Sequence, residues 1–190
     1  MEIAEEFLNG AKLLKPKVFE DCRGCFFESY NKKTFAALGI NADFVQDNES
    51  LSAGGVLRGL HFQKPPHAQA KLIRVLEGEV EDVILDLRFG GATFGRYKKI
   101  VLSAQNMNML FVPRGFAHGF HVLSSNARLA YKCDNFYEPS SECGFRFDDP
   151  ALNIDWSLGG ESPKLIPKDL GWGPFSEYIK NPLFKYEQTI

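Results

Sequence analysis

Short apolar segments recur along the chain from Val56 onward, and a turn signal separates each segment from the next. Strands of this length at regular spacing, with Pro, Gly, Ser or Asn between them, are typical of an antiparallel sandwich or barrel. The pattern therefore predicts an all-β fold, not strands alternating with helices. The turn signals are Lys64-Pro65-Pro66, Glu77-Gly78, Gly90-Gly91, Ser103-Ala104-Gln105-Asn106, Pro113-Arg114-Gly115 and Ser124-Ser125-Asn126.

Several strands follow from the local pattern. Residues 11–19 predict a strand, and Pro16 within it indicates the edge of a sheet because proline donates no ladder hydrogen bond. Residues 44–48 predict another strand, with a loop over residues 50–55. Residues 83–88 alternate strictly, which predicts a half-buried strand with Val83, Leu85 and Leu87 on one face and Ile84, Asp86 and Arg88 on the other.

Helical signals are few. Asn31 predicts the N-cap of a short helix over residues 32–38, which Gly39 ends. The chain after Asp149 is irregular and rich in proline, so we expect it to wrap the outside of the β core from about residue 150. No repeat of constant period and no low-complexity linker interrupts the sequence, and a single domain over residues 1–190 is expected.

Composition and net charge bear on which classes of binding partner the protein could have. The chain has 190 residues, is 44% hydrophobic and 24% charged, and its 22 basic and 24 acidic side chains leave a net charge of −2. This balance offers no general electrostatic attraction to DNA, RNA or an anionic membrane surface. The first six residues are acidic, without the basic and then apolar order of a signal peptide. A cytoplasmic location is the expectation.

The four cysteines allow two interpretations. Cys22 and Cys25 have the spacing of a zinc knuckle or a redox pair, yet Cys133 and Cys143 do not form a second close pair. Free thiols in a reducing compartment are therefore favoured over a zinc site.

The stretch Arg58-Gly59-Leu60-His61-Phe62-Gln63 places an arginine and a histidine inside an apolar strand. A buried histidine is often a satisfied core residue, and this alternative stays open from the stretch alone. Strict alternation puts Arg58 and His61 on opposite faces. Both reach one site only if Gly59 marks a bulge or bend, a usual role of an isolated strand glycine.

Two further strands carry polar side chains among aliphatic ones. Lys71 shares a face with Ile73 and Val75, while Arg74 falls on the other face with Leu72 and Leu76. Tyr131 shares a face with Leu129 and Cys133, where it is either a hydrogen-bonded core tyrosine or a site residue.

Pro113-Arg114-Gly115-Phe116-Ala117-His118 places a histidine after a tight turn between strands, and this Pro-x-Gly-x-x-His spacing matches the second motif of the cupin superfamily. Metal-binding cupins carry His-x-His in their first motif. Here that region supplies His61, Phe62 and Gln63, so the second histidine is missing, and His67 in a Pro-Pro loop is a poor replacement. No metal is expected.

Together these motifs resemble the dTDP-4-dehydrorhamnose 3,5-epimerase family in order and over nearly the whole chain. The resemblance rests on the following stretches: Val18-Phe19-x-Asp21-x-Arg23-Gly24, Gln46-Asp47-Asn48, Arg58 to Gln63, Ala68 to Leu72, Val112 to Phe120, Tyr131-Lys132, Pro139 to Glu142, and Ile166 to Asp169. It implies a cupin-type jelly roll, with one or a few short helices, that acts as a homodimer without a metal or other cofactor.

The resemblance also implies the chemistry. Epimerisation next to a ketone requires a base, an acid on the other face of the sugar, and positive charge at the carbonyl oxygen. His61 would be the base and Asp169 its partner, Tyr131 the proton donor, and Lys71 the group that stabilises the enolate oxygen. Residues matching family positions that hold the nucleotide and sugar are Arg23, Glu28, Gln46, Asp47, Asn48, Arg58, His118, Glu142 and Lys168. Phe136 or Tyr137 would either stack on the base or pack on the core as an aromatic side chain at a strand end.

Two alternatives remain open. Within the same fold, the enzyme would act only at C3, or on another nucleotide sugar such as a GDP-linked 4-keto-heptose. From another class, the chain would be a metal-dependent cupin, such as an oxygenase, or a sugar-binding cupin without activity.

Overall fold

The computed structural model describes residues 1–186. Most of the chain forms strands, which in order are β1 (Glu2–Phe7), β2 (Ala11–Lys15), β3 (Phe19–Asp21), β4 (Gly24–Phe26), β5 (Gln46–Ala53), β6 (Leu57–Gln63), β7 (Lys71–Glu77), β8 (Glu79–Asp86), β9 (Arg88–Phe89), β10 (Tyr97–Ser103), β11 (Met109–Val112), β12 (Phe116–Val122), β13 (Asn126–Cys133), β14 (Glu142–Gly144) and β15 (Phe184–Lys185). The helices are α1 (Lys32–Ala37), α2 (Pro167–Leu170) and α3 (Phe175–Tyr178), with a 3-10 turn at Pro139–Ser141.

Two antiparallel sheets form the core. One has six strands in the order β1-β2-β11-β7-β13-β5, and the other has five in the order β10-β8-β12-β6-β14. Their inner faces share one apolar cluster, to which Ile73 and Leu129 contribute from the first sheet and Val80, Ile84 and Phe120 from the second. Two sheets that bury a common layer form a β-sandwich, so the predicted all-β class is confirmed.

Each sheet is also covered on its outer face. Helix α1 places Phe35 against Leu14, Leu72 and Met109 of the six-stranded sheet. The chain beyond β14 packs Phe145, Leu152, Trp156, Phe175 and Tyr178 against Val83, Leu85 and Leu87 of the five-stranded sheet.

This outer cover corrects the half-buried strand predicted for residues 83–88. Ile84 and Asp86 face the interior while Val83 and Leu85 face the C-terminal segment, and all four side chains are fully buried. Alternation shows which residues share a face, but a strand covered on both sides buries both faces.

Two other local predictions were wrong. Strand β2 ends at Lys15, before Pro16, and lies between β1 and β11, so the edge of the sheet is β1. The expected loop over residues 50–55 is largely strand, because β5 continues to Ala53, which pairs with Asn126 of β13. The helix prediction is confirmed: the Asn31 side chain accepts hydrogen bonds from the amides of Lys33 and Thr34.

No helix within residues 1–186 is long and apolar enough to cross a membrane.

Candidate active site

A pocket of about 290 Å³ opens between the two sheets at one end of the sandwich. Strand β6 and the start of β14 form one wall, while β5, β7 and β13 form the other. Its lining consists of Gln46, Asn48, His61, Phe62, Gln63, Gln69, Lys71, Tyr131, Cys133, Tyr137 and Glu142. Six residues that the sequence singled out for catalysis or binding therefore share one cavity: Gln46, Asn48, His61, Lys71, Tyr131 and Glu142.

A short polar contact joins His61 to Asp169. The imidazole Nε2 and the carboxylate Oδ1 are 2.6 Å apart. The Asp169 side chain is 2% exposed and that of His61 is 26% exposed, so the carboxylate lies behind the ring and the ring faces the pocket. A buried carboxylate in this position orients an imidazole and stabilises the positive charge that the ring acquires when it accepts a proton.

Gly59 brings Arg58 to the same side of β6 as His61. The pairing of β6 with β12 changes register between His118 and Phe120, and Gly59 has φ of +115°. Arg58 donates from Nε to Ser52 Oγ of the opposite sheet at 3.0 Å. The expectation of a bend at Gly59 is therefore confirmed. A side chain at Gly59 would meet Gly119 Cα at 2.6 Å, so the strands approach too closely there for a Cβ.

Lys71 enters the pocket from the start of β7. Burial lowers the pKa of the Lys71 ammonium, and the nearby side chains of Cys133, Asp82 and Glu142 act against that shift. Within residues 1–186 the ammonium makes no hydrogen bond or ion pair. Its Nζ is therefore available to an oxygen of a bound molecule.

Tyr131 lies on β13 next to Lys71, with 6.0 Å between the Lys71 Nζ and the centre of the Tyr131 ring. Burial raises the pKa of the Tyr131 hydroxyl above its usual value. The hydroxyl therefore stays protonated at neutral pH, which is the form that a proton donor needs.

Glu142 connects the pocket to helix α2. Its Oε2 accepts hydrogen bonds from Lys168 Nζ and from the Tyr137 hydroxyl, each at 2.5 Å. Burial raises the pKa of the Glu142 carboxyl, but the bonds from Lys168 and Tyr137 outweigh burial and the net shift is downward. Beside this group the rings of Phe136 and Tyr137 are 64% and 51% exposed, as expected of surfaces on which a nucleobase stacks.

His118 lies next to His61 on the neighbouring strand. The two residues are direct partners in the pairing of β12 with β6. His118 Nε2 is 2.9 Å from Asp82 Oδ2, so a second histidine and carboxylate pair stands one strand further into the sheet.

Six predicted binding residues do not line the pocket. Arg58, His118 and Lys168 contact residues around it, as described above, whereas the other three lie elsewhere. Arg23 is in the turn between β3 and β4, where its guanidinium pairs with Asp21 and is 85% exposed. Glu28 accepts hydrogen bonds from Asn31 and Thr34 next to helix α1. Asp47 points to the outer face of β5, where it pairs with Lys132, because it alternates with Asn48.

The sequence did not single out several residues that complete the site. Gln63 and Gln69 line the pocket, and Trp172 packs edge-on against His61 with 5.9 Å between ring centres. Gln63 and Gln69 lay within the quoted motifs, but no alternation rule distinguishes their roles. Asp82 and Trp172 carried no motif at all. A buried acid within an apolar strand was the one available signal for Asp82.

Among residues 1–186, no group of three or more His, Cys, Asp or Glu side chains is arranged to hold a metal ion. The four cysteines are all free thiols.

The fold and the pocket define a class. A jelly-roll sandwich holds a histidine paired to a buried carboxylate, a lysine and a protonated tyrosine around one cavity, which equips it to move protons next to a carbonyl group. A model of the dTDP-4-dehydrorhamnose 3,5-epimerase family matches residues 5–177. The chain belongs to this family, and is thus an isomerase with a cupin-type fold.

Individual relatives agree. The chain is 51% identical over 158 residues to the dTDP-4-dehydrorhamnose 3,5-epimerase of Pseudomonas aeruginosa. This alignment covers 83% of this chain and 86% of the relative. It is 45% identical over 176 residues to that of Shigella flexneri, with 92% and 96% covered. A crystal structure of dTDP-6-deoxy-D-glucose-3,5-epimerase from Legionella pneumophila, in complex with dTDP-4-keto-L-rhamnose, superposes with a TM-score of 0.92 at 44% identity and 98% coverage of both chains.

Proposed function

We propose that the chain catalyses the 3,5-epimerisation of dTDP-4-dehydro-6-deoxy-D-glucose to dTDP-4-dehydro-L-rhamnose, in the biosynthesis of rhamnose for cell-surface polysaccharide. The observation that carries this proposal is that His61 with Asp169, Lys71 and Tyr131 converge on one pocket of a family member. These are the base, the positive charge and the acid that the reaction needs.

In the first step His61 removes the proton from the carbon next to the 4-ketone. The two electrons of the C–H bond form the C=C bond of an enolate, and the carbonyl oxygen takes the negative charge. The imidazole becomes an imidazolium, whose charge Asp169 stabilises across 2.6 Å. A base already oriented by a hydrogen bond begins the reaction without reorganising.

Lys71 stabilises the enolate oxygen. Its half-buried ammonium lies in the pocket between His61 and Tyr131 and has no other partner within the described residues, so its charge acts on the substrate. A preorganised cation at a developing oxyanion contributes on the order of a few kcal/mol of transition-state stabilisation.

Tyr131 returns a proton to the opposite face of the enolate. The hydroxyl gives its proton to carbon and becomes a phenolate, the C=C electrons form the new C–H bond, and the ketone is restored. The phenolate then takes a proton from solvent and the His61 imidazolium releases one to solvent, which returns both groups to their starting forms. Tyr131 lies on β13 of the six-stranded sheet and His61 on β6 of the five-stranded sheet. A sugar ring bound between them therefore has the base on one face and the acid on the other.

The remaining pocket residues hold the substrate. Gln46, Asn48 and Glu142 line the pocket, Lys168 donates to Glu142, and Arg58 on β6 reaches Ser52 of the opposite sheet. These groups supply hydrogen bonds and charge for the sugar and the diphosphate. The Legionella pneumophila relative in complex with dTDP-4-keto-L-rhamnose supports a dTDP-linked substrate here. Phe136 and Tyr137 offer a stacking surface for the base.

We further propose a homodimer. Strands β3 and β4 form a separate two-stranded sheet that carries Arg23, and the Phe19 and Phe26 side chains on it are 54% and 70% exposed. Exposed aromatic side chains on a short ribbon support a surface that a second subunit covers. Light scattering coupled to size-exclusion chromatography measures the mass; a monomer would contradict this proposal.

The proposed location is the cytoplasm, because Cys22 and Cys25 are both exposed, three positions apart and unbonded. The proposed organisation is a single epimerase domain over residues 1–190, with the C-terminal segment from about residue 150 as part of it.

The decisive comparison is between substrates. Purified protein is incubated with dTDP-4-dehydro-6-deoxyglucose or with a GDP-linked 4-keto-heptose, and NMR coupling constants identify the configuration at C3 and C5. We expect inversion at both carbons of the dTDP-linked sugar. Inversion at C3 alone, or turnover of the GDP-linked sugar only, would overturn the assignment. Activity lost on chelation and restored by a metal ion would favour the metal-dependent alternative.

A further inference from the structure

Gln63 lines the pocket, yet the proposed mechanism gives it no role. It is the last residue of β6, two positions after His61, so strand alternation puts both side chains on the same face. Gln63 is only 5% exposed. A buried carboxamide carries two N–H donors and an acceptor oxygen, and leaving any of them without a partner costs free energy. The partners of this amide therefore indicate what the residue does.

Both ends of the Gln63 amide are bound to backbone groups. Nε2 donates to the carbonyl oxygen of His67 at 2.7 Å and to that of Phe136 at 3.2 Å. Oε1 accepts from the backbone N–H of Glu138 at 2.7 Å. The two N–H donors are thus both used within the protein. Although Gln63 lines the pocket, it has no N–H left to donate to a bound molecule.

These partners also determine which way the amide of Gln63 points. Nε2 faces two carbonyl oxygens and Oε1 faces an N–H group. An amide turned over would set oxygen against oxygen and N–H against N–H, so only one orientation satisfies all the groups. The side chain is therefore held in one orientation between the loop after β6 and the segment around Tyr137.

That segment carries the two exposed aromatic rings beside the pocket. It consists of residues 135–138, here called the platform, on which Phe136 and Tyr137 are 64% and 51% exposed. The platform is neither helix nor strand, so its backbone groups depend on side chains for hydrogen bonds. Gln63 supplies such bonds on both sides of Tyr137, at Phe136 and at Glu138. It therefore fixes the backbone from which both rings project.

Two other glutamines also bind the platform. Gln46 on β5 accepts from the backbone N–H of Tyr137 at 2.9 Å, and Gln69, just before β7, donates to the carbonyl of Asn135 at 2.8 Å. Each of these bonds the platform once, whereas Gln63 bonds it twice. Removal of the Gln63 amide therefore has the largest expected effect on the platform.

We propose that Gln63 is a positioning residue for nucleotide recognition, whose amide holds the platform so that Phe136 and Tyr137 face the base of the bound nucleotide. A segment already ordered in the free protein need not be ordered when the nucleotide binds, which strengthens binding. Gln63 takes no part in the proton transfer at His61. The proposal rests on the proposed function for its ligand, whereas its statement about the platform concerns the protein alone.

Gln63→Met tests the proposal, because methionine has a similar length and removes all the hydrogen bonds of the amide. Calorimetry measures the Kd of dTDP, and steady-state kinetics measure KM and kcat for dTDP-4-dehydro-6-deoxyglucose. We expect Kd and KM to rise by about 10-fold, with kcat within about threefold of the wild type. An unchanged Kd for dTDP, or a larger fall in kcat, would overturn the proposal.

Asn106→Leu is the matched control. Asn106 lies in the turn between β10 and β11, which contributes no residue to the pocket. Its amide likewise binds only backbone groups, those of Val101, Ser103 and Asn108. Its loss should lower Tm while Kd, KM and kcat stay unchanged. An equal rise in the Kd of dTDP in both variants would show that lost stability alone weakens binding, and would contradict the proposal.

If the wild-type protein neither binds dTDP nor catalyses epimerisation, the proposed function fails, and hydrogen exchange then decides the statement about the platform. The backbone N–H of Glu138 should exchange slowly in the wild type and in Asn106→Leu. In Gln63→Met it should exchange faster by about 10-fold or more. Equal exchange at Glu138 in the wild type and in Gln63→Met would contradict the proposal.

A last measurement needs no variant, and so remains decisive if Gln63→Met does not fold. NMR compares the side-chain N–H groups of Gln63 in the wild type with those of Gln105, which is exposed. The proposal requires the Gln63 protons to exchange with solvent more slowly than those of Gln105. Equal rates would overturn it.

Discussion

His61 and Asp169 are 108 residues apart in the chain, yet the imidazole Nε2 lies 2.6 Å from the carboxylate Oδ1. Asp169 sits on the four-residue helix α2, which packs against β6, the strand that carries His61. The C-terminal segment therefore does more than cover the sheet, because it delivers the group that orients the proposed base.

Asp169→Asn should slow proton removal because the amide no longer stabilises the imidazolium. We expect kcat to fall by about 10² or more while KM changes little, since Asp169 is 2% exposed and lies behind the ring. Steady-state kinetics of epimerisation measure both constants. Asp148→Asn, on the exposed pair with Arg146, is a control that should retain activity. A variant of Asp169 with normal kcat would remove it from the mechanism.

Tyr131→Phe should separate the two halves of the reaction. His61 still removes the proton and can return it to the same face, so exchange with solvent continues, while inversion falls by about 10² to 10⁴. Deuterium incorporation measured by NMR reports exchange, and product configuration reports inversion. If this variant inverts at the normal rate, Tyr131 is not the acid.

Gly59→Ala should destabilise the fold at the bend that brings Arg58 and His61 together. The substitution combines φ of +115° with a Cβ 2.6 Å from Gly119 Cα, and we expect a loss of about 2 to 4 kcal/mol in the free energy of unfolding. Gly90→Ala is the matched control, because Gly90 has φ of +88° but open space around it. Its cost should be about 1 kcal/mol. The free energy of unfolding of both variants is measured by urea denaturation. An equal loss in the two variants would show that the close contact with Gly119 does not add to the cost at Gly59.

The Glu142 carboxyl should contribute to stability at neutral pH and lose that contribution in acid. Burial raises the pKa of this carboxyl, whereas the hydrogen bonds from Lys168 and Tyr137 lower it. The hydrogen bonds have the larger effect, so the net pKa lies below 4.5. The folded state therefore binds this proton less readily than the unfolded state. Its stabilisation is complete above pH 4.5 and is lost as the pH falls through the depressed value.

The acid dependence can be measured by thermal unfolding from neutral pH to below 4.5. Glu142→Gln should show a shallower fall of Tm in acid than the wild type. Glu161→Gln is the control, because Glu161 is exposed and forms no ion pair within residues 1–186. If Tm falls equally with decreasing pH in the wild type and in Glu142→Gln, the contact with Lys168 does not stabilise the fold in this way.

Alternation along strands predicted which side chains share a face, and the structure keeps Lys71 with Ile73 and Tyr131 with Cys133 on the interior. A one-residue shift would have moved each of them to the other face, so these positions were well determined. The bend at Gly59 was an assumption that strict alternation argued against, and it was needed only if Arg58 and His61 were to reach one site.

Burial on the outer face of β8 was not predictable, because it depends on Trp156 and Phe175 from distant, irregular chain. For the same reason, strand patterns alone did not place Asp169, and the family resemblance supplied its pairing. Asp47 shows the opposite error: it belongs to the Gln46-Asp47-Asn48 motif, but alternation on β5 turns its side chain outward.

Counting the solvent hydrogens that enter the sugar tests the proposed roles of His61 and its partners most directly. The protein is incubated with dTDP-4-dehydro-6-deoxyglucose in heavy water, and mass spectrometry and NMR locate the deuterium. We expect one deuteron at C3 and one at C5 with the wild type, and none at either carbon with His61→Ala. Incorporation at a single carbon, or exchange that persists in His61→Ala, would contradict the central claim.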